Sequence, residues 1–283
     1  MTTNHIIVEP ISGHVGAVIR GVDLAAPSAG EVAAIRQVLY DHGVVFFRDQ
    51  ALTPDQHIAF AESFAPVDVN RFFAAVPTHP QIAEVRKEPG QKRNIGGGWH
   101  TDHSYDHAPA MGSVLVARET PPLGGDTLFA SMAAAYAALS EGLKATLRGL
   151  RAVHSNRHTF GAAARQLQDG DMTGRLHNAH LATDDAVHPV VVRHPGSGRP
   201  VLYVNPGFTT HFEGWTPEES APLLEMLYRH AARPEFQCRF QWQPGSVAFW
   251  DNRATWHYAA NDYAGERRLM HRITVSGETL GAA

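Results

Sequence analysis

Apolar positions along this chain switch repeatedly between a period of two and a period of 3.6, and the switches mark its elements. Residues 6–25 alternate apolar runs with glycines (Ile6-Ile7-Val8, then Val15-Gly16-Ala17-Val18-Ile19), which predicts short strands joined by turns. A helical spacing follows. Val32, Ile35, Val38 and Leu39 share one face, a Ser28/Glu31 capping box opens the segment and Gly43 ends it. Residues 44–48 form a continuous apolar strand, and Thr53-Pro54-Asp55-Gln56 opens a second helix that runs to about Phe64.

From 66 to 98 the pattern loosens, with one strand over 82–86 and then a polar, glycine-rich loop over 88–98, long enough to suggest function. Strands are expected over 113–118 and 127–130, and helical spacing over 132–139 and 141–150. Residues 156–186 are polar and weakly periodic, as expected of a lid over a site. Strands return over 189–193 and 201–205. The most regular helix then opens with Thr216-Pro217-Glu218-Glu219 and continues through Leu223, Leu224, Leu227 and Tyr228. Further strands cover 236–242, 247–251 and 267–276. No repeat or linker interrupts the order, so one domain over 1–283 is expected. Strands before, around and after peripheral helices predict a mainly β, α+β fold with a double-stranded β-helix (jelly-roll, cupin-like) core.

Composition narrows the function classes. The 283 residues are 43% hydrophobic and 18% charged, an ordinary globular balance. A net charge of -4 without a basic block argues against nucleic acid. The absence of a long apolar run argues against a membrane span, and the first residues lack a secretory pattern, so a cytoplasmic location is expected. The single Cys238 sits among strand-like residues and reads as a half-buried thiol.

The chemistry concentrates around Gly96-Gly97-Gly98-Trp99-His100-Thr101-Asp102-His103. In an extended segment His100 and Asp102 point to one face, a ready pair of metal ligands lacking a third. Two histidines and one carboxylate suit non-haem Fe(II), because they leave positions open for substrates and oxygen. Among 18 histidines, a single His-x-Asp is a weak signal by itself. Downstream, His257 follows the strand over 247–251, and on the last strand Arg268, Met270, Arg272 and Thr274 share a face. Two arginines on one face are either solvated or an anion site.

In Trp99-His100-Thr101-Asp102, in Gly124-Gly125-Asp126-Thr127-Leu128, and in Trp250-Asp251-Asn252-Arg253 through His257 to Arg268 and Arg272, the chain resembles the taurine dioxygenase family of Fe(II)/2-oxoglutarate-dependent oxygenases. The resemblance extends over nearly the whole chain. It implies that His100, Asp102 and His257 are the iron ligands and the catalytic centre, and that Thr127 and Arg268 bind the distal carboxylate of 2-oxoglutarate. Arg272 would lie near the inner end of 2-oxoglutarate and the anion of the prime substrate. The implied reaction consumes O2, hydroxylates a small organic anion such as taurine or another alkylsulfonate, and releases succinate and CO2. Oxidation of an aryloxyalkanoate or alkylsulfate ester is the alternative. A homo-oligomer, dimer or tetramer, is implied as well.

Aligned from Phe64, Asn70 falls where taurine-specific members place a sulfonate-binding His, Phe73 where they have Tyr, and Gly96 where an Asn lines the pocket. Phe160 and Phe208 match apolar pocket walls, and His103 stands beside the ligand pair as a further candidate substrate contact. A non-catalytic binding protein and a zinc hydrolase are the rival readings. An intact triad together with Thr127 and Arg268 separates the oxygenase from both.

Overall fold

The computed structural model describes residues 6–166 and 170–283; residues 167–169 of the expected lid lie outside the described residues. Strands β1 (Ile7–Pro10) and β2 (Ala17–Arg20) form a hairpin. Helix α1 (Ala29–His42) opens on the reciprocal Ser28/Glu31 cap and stops at Gly43, whose φ of 73° suits a residue without a Cβ. Then come β3 (Val44–Phe47), α2 (Pro54–Glu62) with its Thr53/Gln56 capping box, β4 (Val67–Asp68), β5 (Ala75–Val76), β6 (His79–Lys87) and β7 (Gly112–Glu119). The middle of the chain holds β8 (Thr127–Ser131), α3 (Met132–Ala137), α4 (Glu141–Arg148), β9 (Arg151–Ser155), α5 (Arg157–Phe160), α6 (Ala162–Gln166), β10 (Asp185–Pro189), β11 (Val191–Arg193), β12 (Pro200–Leu202) and β13 (Thr209–Phe212). It closes with α7 (Pro217–Ala231), β14 (Gln237–Phe240), β15 (Val247–Asp251), β16 (Thr255–Ala259) and β17 (Arg268–Val275).

A nine-stranded sheet runs in the order β1-β2-β3-β15-β7-β17-β6-β5, with β4 also paired to β17. A smaller sheet in the order β14-β8-β16 belongs to the same barrel-like core. The continuous apolar run of β3 reflects burial on both of its faces. Val44 and Phe46 point into a cluster shared with Phe129, Phe240, Trp250 and Met270, which joins the two sheets. Val45 and Phe47 point the other way, where they meet Leu39 of α1 and Phe60 of α2. The jelly-roll core with helices outside it is therefore present, and no helix among the described residues is long and apolar enough to cross a membrane.

The chain differs from the sequence reading where strands are short or polar. The expected helix over 141–150 ends at Arg148 so that β9 can begin, and β9 pairs with β10 and β13 in a further sheet. His257 lies inside β16 rather than beyond a strand. The segment over 156–186 contains α5, α6 and a turn of 3-10 helix at Ala179–Leu181.

Phe46 is the most telling contact between the sheets, stacking on Phe240 with ring centroids 4.0 Å apart and meeting Phe129 edge-on at 5.5 Å. Phe46→Ala is expected to lower the unfolding free energy by about 3–5 kcal/mol. Urea unfolding at constant m-value measures it, and a negligible loss would mean that this contact does not hold the sheets together.

Candidate metal centre and active-site cavity

His100 and His257 are brought side by side by the backbone. His100 N donates to His257 O at 3.1 Å and His257 N donates to His100 O at 2.8 Å, an isolated antiparallel bridge that sets the two rings 4.0 Å apart. Asp102, two residues on, returns to the same face: its Oδ1 lies 3.7 Å from His100 Nε2 and its Oδ2 3.9 Å from His257 Nε2. The backbone must come very close here. A Cβ on Gly207 would lie 2.6 Å from the Cβ of His100, so only glycine fits beside the pair.

The electrostatics match what a divalent cation requires. His100 Nδ1–H donates to Gly98 O at 2.7 Å, which leaves the Nε2 lone pair free to ligate. Burial pushes His100 below its usual range against the pull of Asp102, and burial with the neighbouring His100 pushes His257 well below it. Burial alone would raise Asp102, but Arg272, His257 and His100 outweigh it and hold the carboxyl below the usual carboxylate range. Two neutral imidazoles and one carboxylate are the donor set that metal binding needs. These three residues could hold an ion, their ligand atoms lying within 4.8 Å of one another.

The ligand atoms open on a cavity of about 380 Å³ that also reaches Thr127 and Arg268. Arg268 is buried, 4% exposed, and its Nε and Nη2 have no hydrogen-bond partner among the described residues. Thr127 Oγ1 accepts from Trp242 Nε1–H at 2.9 Å, so its own hydrogen remains to be donated. Arg272 Nη1 donates to both oxygens of Asp102, at 3.3 and 3.2 Å, and its guanidinium lies 4.4 Å from the centre of the Phe73 ring. Phe73, Phe160 and Phe208 form an aromatic wall. Gly96, at φ 81°, borders the same space beside His100.

Two expected substrate contacts are placed elsewhere. Asn70 does not line the cavity: its Oδ1 accepts from the backbone N–H groups of Phe72 and Phe73, both at 2.9 Å, so the side chain shapes a turn. His103 is also outside it, because the chain leaves the extended form at that residue (φ 60°) and its Nδ1 bonds Asp106 Oδ2 at 2.8 Å. Asp68, His103 and Asp106 make a second cluster of potential ligands, but Arg71 already takes Asp106 Oδ1 at 2.5 Å. Several wall residues went unread in the sequence, among them Val85, Leu115 and Pro206, and Met172 and Leu176 in the weakly periodic segment over 156–186. That segment is tied down on two sides. Asp171 accepts from the backbone N–H groups of Lys92 and Arg93, and Leu176 bridges Phe73. Trp242 was also missed as a partner of Thr127, the only signal being an aromatic at the end of an expected strand.

The turn that carries the chain from β15 to His257 is held by a buried trio. Asp251 accepts from Arg253 Nε at 2.9 Å and Nη2 at 2.7 Å, and from His194 Nε2–H at 2.9 Å. His194 must carry its hydrogen on Nε2, because its Nδ1 accepts from the N–H groups of Gly196 and Ser197. Burial acts to raise Asp251, but Arg253 and His194 outweigh it and keep the carboxyl below the usual range.

The family model for "Taurine catabolism dioxygenase TauD, TfdA family" matches residues 7–274. The chain is 34% identical over 273 residues to an "Alpha-ketoglutarate-dependent sulfate ester dioxygenase" of Pseudomonas putida, covering 96% of this chain and 89% of that protein. Among solved structures, a taurine dioxygenase from Burkholderia xenovorans superposes with a TM-score of 0.81 at 38% identity, covering 98% of this chain and 91% of that one. AAD-2 in complex with Mn(II) and N-oxalylglycine superposes with a TM-score of 0.78 at 28% identity, covering 97% and 99%.

Removing the cation of the buried trio should be costly and dependent on pH. Because the folded Asp251 pKa is depressed, its pairing contributes stability that is present above the unfolded carboxyl value of about 3.9 and is lost as pH falls through the folded value. Arg253→Met is expected to cost about 3–5 kcal/mol at neutral pH by stranding a buried charge. The gap to the wild type should narrow in acid, where a protonated Asp251 no longer needs the cation. Urea unfolding at two pH values tests this, and a gap that does not change with pH would contradict it.

Proposed function

This chain belongs to the taurine catabolism dioxygenase TauD, TfdA family and is a 2-oxoglutarate-dependent dioxygenase; from that premise we propose that His100, Asp102 and His257 hold Fe(II). Arg268 and Thr127 bind the far carboxylate of 2-oxoglutarate, and the prime substrate is a small organic anion with an apolar body. The observation that carries this reading is Arg268, a buried guanidinium with unpartnered donors on the same cavity as the three ligands. A buried cation left unmatched requires an anion, and a forked donor beside a free hydroxyl hydrogen suits a carboxylate. A structural neighbour solved in complex with Mn(II) and N-oxalylglycine supports a reading in which a metal and an oxalyl compound both bind.

Bound there, Fe(II) supplies the activation of O2 that couples loss of CO2 from 2-oxoglutarate, leaving succinate, to oxidation of a substrate C–H bond. The chain's own part is positioning and exclusion. Arg268 and Thr127 fix one end of the co-substrate, so its keto acid end is directed along the cavity toward the three ligands. Phe73, Phe160, Phe208, Met172 and Leu176 keep water away from the reacting carbon and favour an apolar substrate body. Asn70 does not line the cavity, so that position contributes no polar contact to the substrate, and longer alkyl or aryl anions suit the apolar wall better than taurine. Sulfate esters and aryloxyalkanoates are the second reading, and the aromatic wall favours them.

Arg268→Ala is expected to raise the apparent KM for 2-oxoglutarate by about 30-fold to several thousandfold, the equivalent of losing about 2–5 kcal/mol from a charge-assisted pair. Thr127→Ala should cost about 1 kcal/mol, one hydrogen bond. Equal effects on steady-state succinate release would mean that the clamp is misassigned. A succinate-release screen with anaerobically loaded Fe(II) should rank alkyl sulfates, longer alkylsulfonates and aryloxyalkanoates above taurine in kcat/KM. Preference for taurine, or for neutral compounds, would sink the substrate reading.

A further inference from the structure

Behind the Asp102 carboxylate runs a file of hydrogen bonds whose direction is fixed from both ends. Trp250 Nε1–H can only donate, and it donates to Asn252 Oδ1 at 2.8 Å. With its oxygen so engaged, Asn252 turns its NH2 toward Ser113 and donates to Oγ at 3.3 Å. Ser113 then has one hydrogen to give, and it donates to Asp102 Oδ2 at 3.1 Å. An ionised carboxylate only accepts. A donor-only indole at one end and an acceptor-only carboxylate at the other therefore leave the amide and the hydroxyl a single consistent orientation. Thr101 Oγ1 donates to Asn252 O at 2.5 Å, which ties the file to the residue just before Asp102. Trp250, Asn252 and Ser113 are all buried, at 2%, 1% and 0% exposure, so water does not compete with these bonds.

The two carboxylate oxygens are thereby made unequal. Each oxygen faces one histidine, Oδ1 3.7 Å from His100 Nε2 and Oδ2 3.9 Å from His257 Nε2, and both share Arg272 Nη1, but Oδ2 alone also takes the Ser113 hydrogen. We propose that Trp250, Asn252 and Ser113 form a positioning relay that holds Asp102 to ligate its metal through Oδ1 alone, with the carboxylate oriented before the metal arrives. The proposal rests on His100, Asp102 and His257 being the metal ligands. The terminal torsion of an Asp is soft, so without the Ser113 bond the carboxylate samples more orientations, and metal binding must then freeze it. The Thr127 and Arg268 clamp for 2-oxoglutarate takes no part in the relay.

The test is Mn(II) titration of the metal-free protein, following the electron paramagnetic resonance signal of free Mn(II), for the wild type, Ser113→Ala and Ser113→Cys. Ser113→Ala is expected to weaken the Mn(II) Kd by about tenfold to a hundredfold, the usual effect of losing a group that orients a ligand. Ser113→Cys, a weak donor of similar size, should fall between Ala and the wild type, and it carries the test if the alanine variant does not fold. The apparent KM for 2-oxoglutarate at saturating Fe(II) should stay at the wild-type value in the folded variants. An unchanged Mn(II) Kd, or a KM for 2-oxoglutarate that rises in parallel with the Kd, overturns the relay. Failure of the wild type to bind Mn(II) overturns the triad reading, and the relay with it.

Discussion

Keeping one carboxylate ionised inside a β-sheet core is the constraint on which the rest of this structure depends. Asp102 is almost fully buried, and a buried charge costs several kcal/mol unless it is met by an opposite charge and by hydrogen bonds. His100 and His257 help to keep it ionised, but burial pushes both imidazoles toward neutrality, so the permanent charge comes from Arg272, the largest of these influences. It can reach Asp102 because β17 lies between β7 and β6 in the middle of the large sheet, where register with β7 is fixed by a long run of pairs. Ser113 adds the neutral donor from β7 itself, opposite Trp250 of β15 in the ladder. The strand order of the large sheet is thus also the order of the groups that stabilise one anion.

The second constraint is that His100 and His257 must be neighbours although 157 positions separate them in the chain. Backbone pairing sets the two rings side by side. β16 is held by β8 along five residues, and its outer edge exchanges two hydrogen bonds with His100. The loop over 88–98 delivers His100 to that edge, and it is secured by Ala259 N donating to Gly96 O and by Asn94 Nδ2 donating to Ala259 O. The glycines in this stretch permit the tight approach. The buried Asp251, Arg253 and His194 trio fixes the other approach, from β15 into β16.

Much of this was legible in the sequence where a local physical rule acts alone. The three capping boxes at Ser28, Thr53 and Thr216 all form, because the reciprocal bonds need only residues three apart. The shared face of Arg268 and Arg272 follows from strand periodicity, as does that of His100 and Asp102. What was not legible depends on distant partners. β16 has Thr, His and Tyr among its five residues and shows no alternation, since most of it is buried on both faces. β13 pairs through a register shift, and β4 and β5 are two residues long, too short to carry a pattern. Asn70 was read by analogy of position, but an amide oxygen three residues before Phe73 finds backbone donors locally and is used up there. Asn252 stood in a motif that carried the resemblance and Ser113 in an expected strand, but the role of neither was legible, because it exists only once β7, β15 and the His100 loop have met.

Arg268 and Arg272 show how identical side chains on one strand face acquire different tasks. Burial costs each of them, yet Arg272 donates to a carboxylate, whereas Arg268 keeps two donors without a hydrogen-bond partner among the described residues. An anion entering the cavity therefore gains most at Arg268, where it satisfies groups already stripped of water, whereas at Arg272 it must share a cation with Asp102. One of its donors, Nε, remains free even so. An anion at Arg272 consequently meets a weaker site than one at Arg268, and under the proposed assignment of the substrate to Arg272 its binding free energy has to come from elsewhere. The apolar wall of Phe73, Phe160, Phe208, Met172 and Leu176 is what the cavity offers, at roughly 25 cal/mol for each Å² of apolar surface covered. Selection by such a wall grows with the size of the substrate's apolar body, and a two-carbon anion leaves most of it unused.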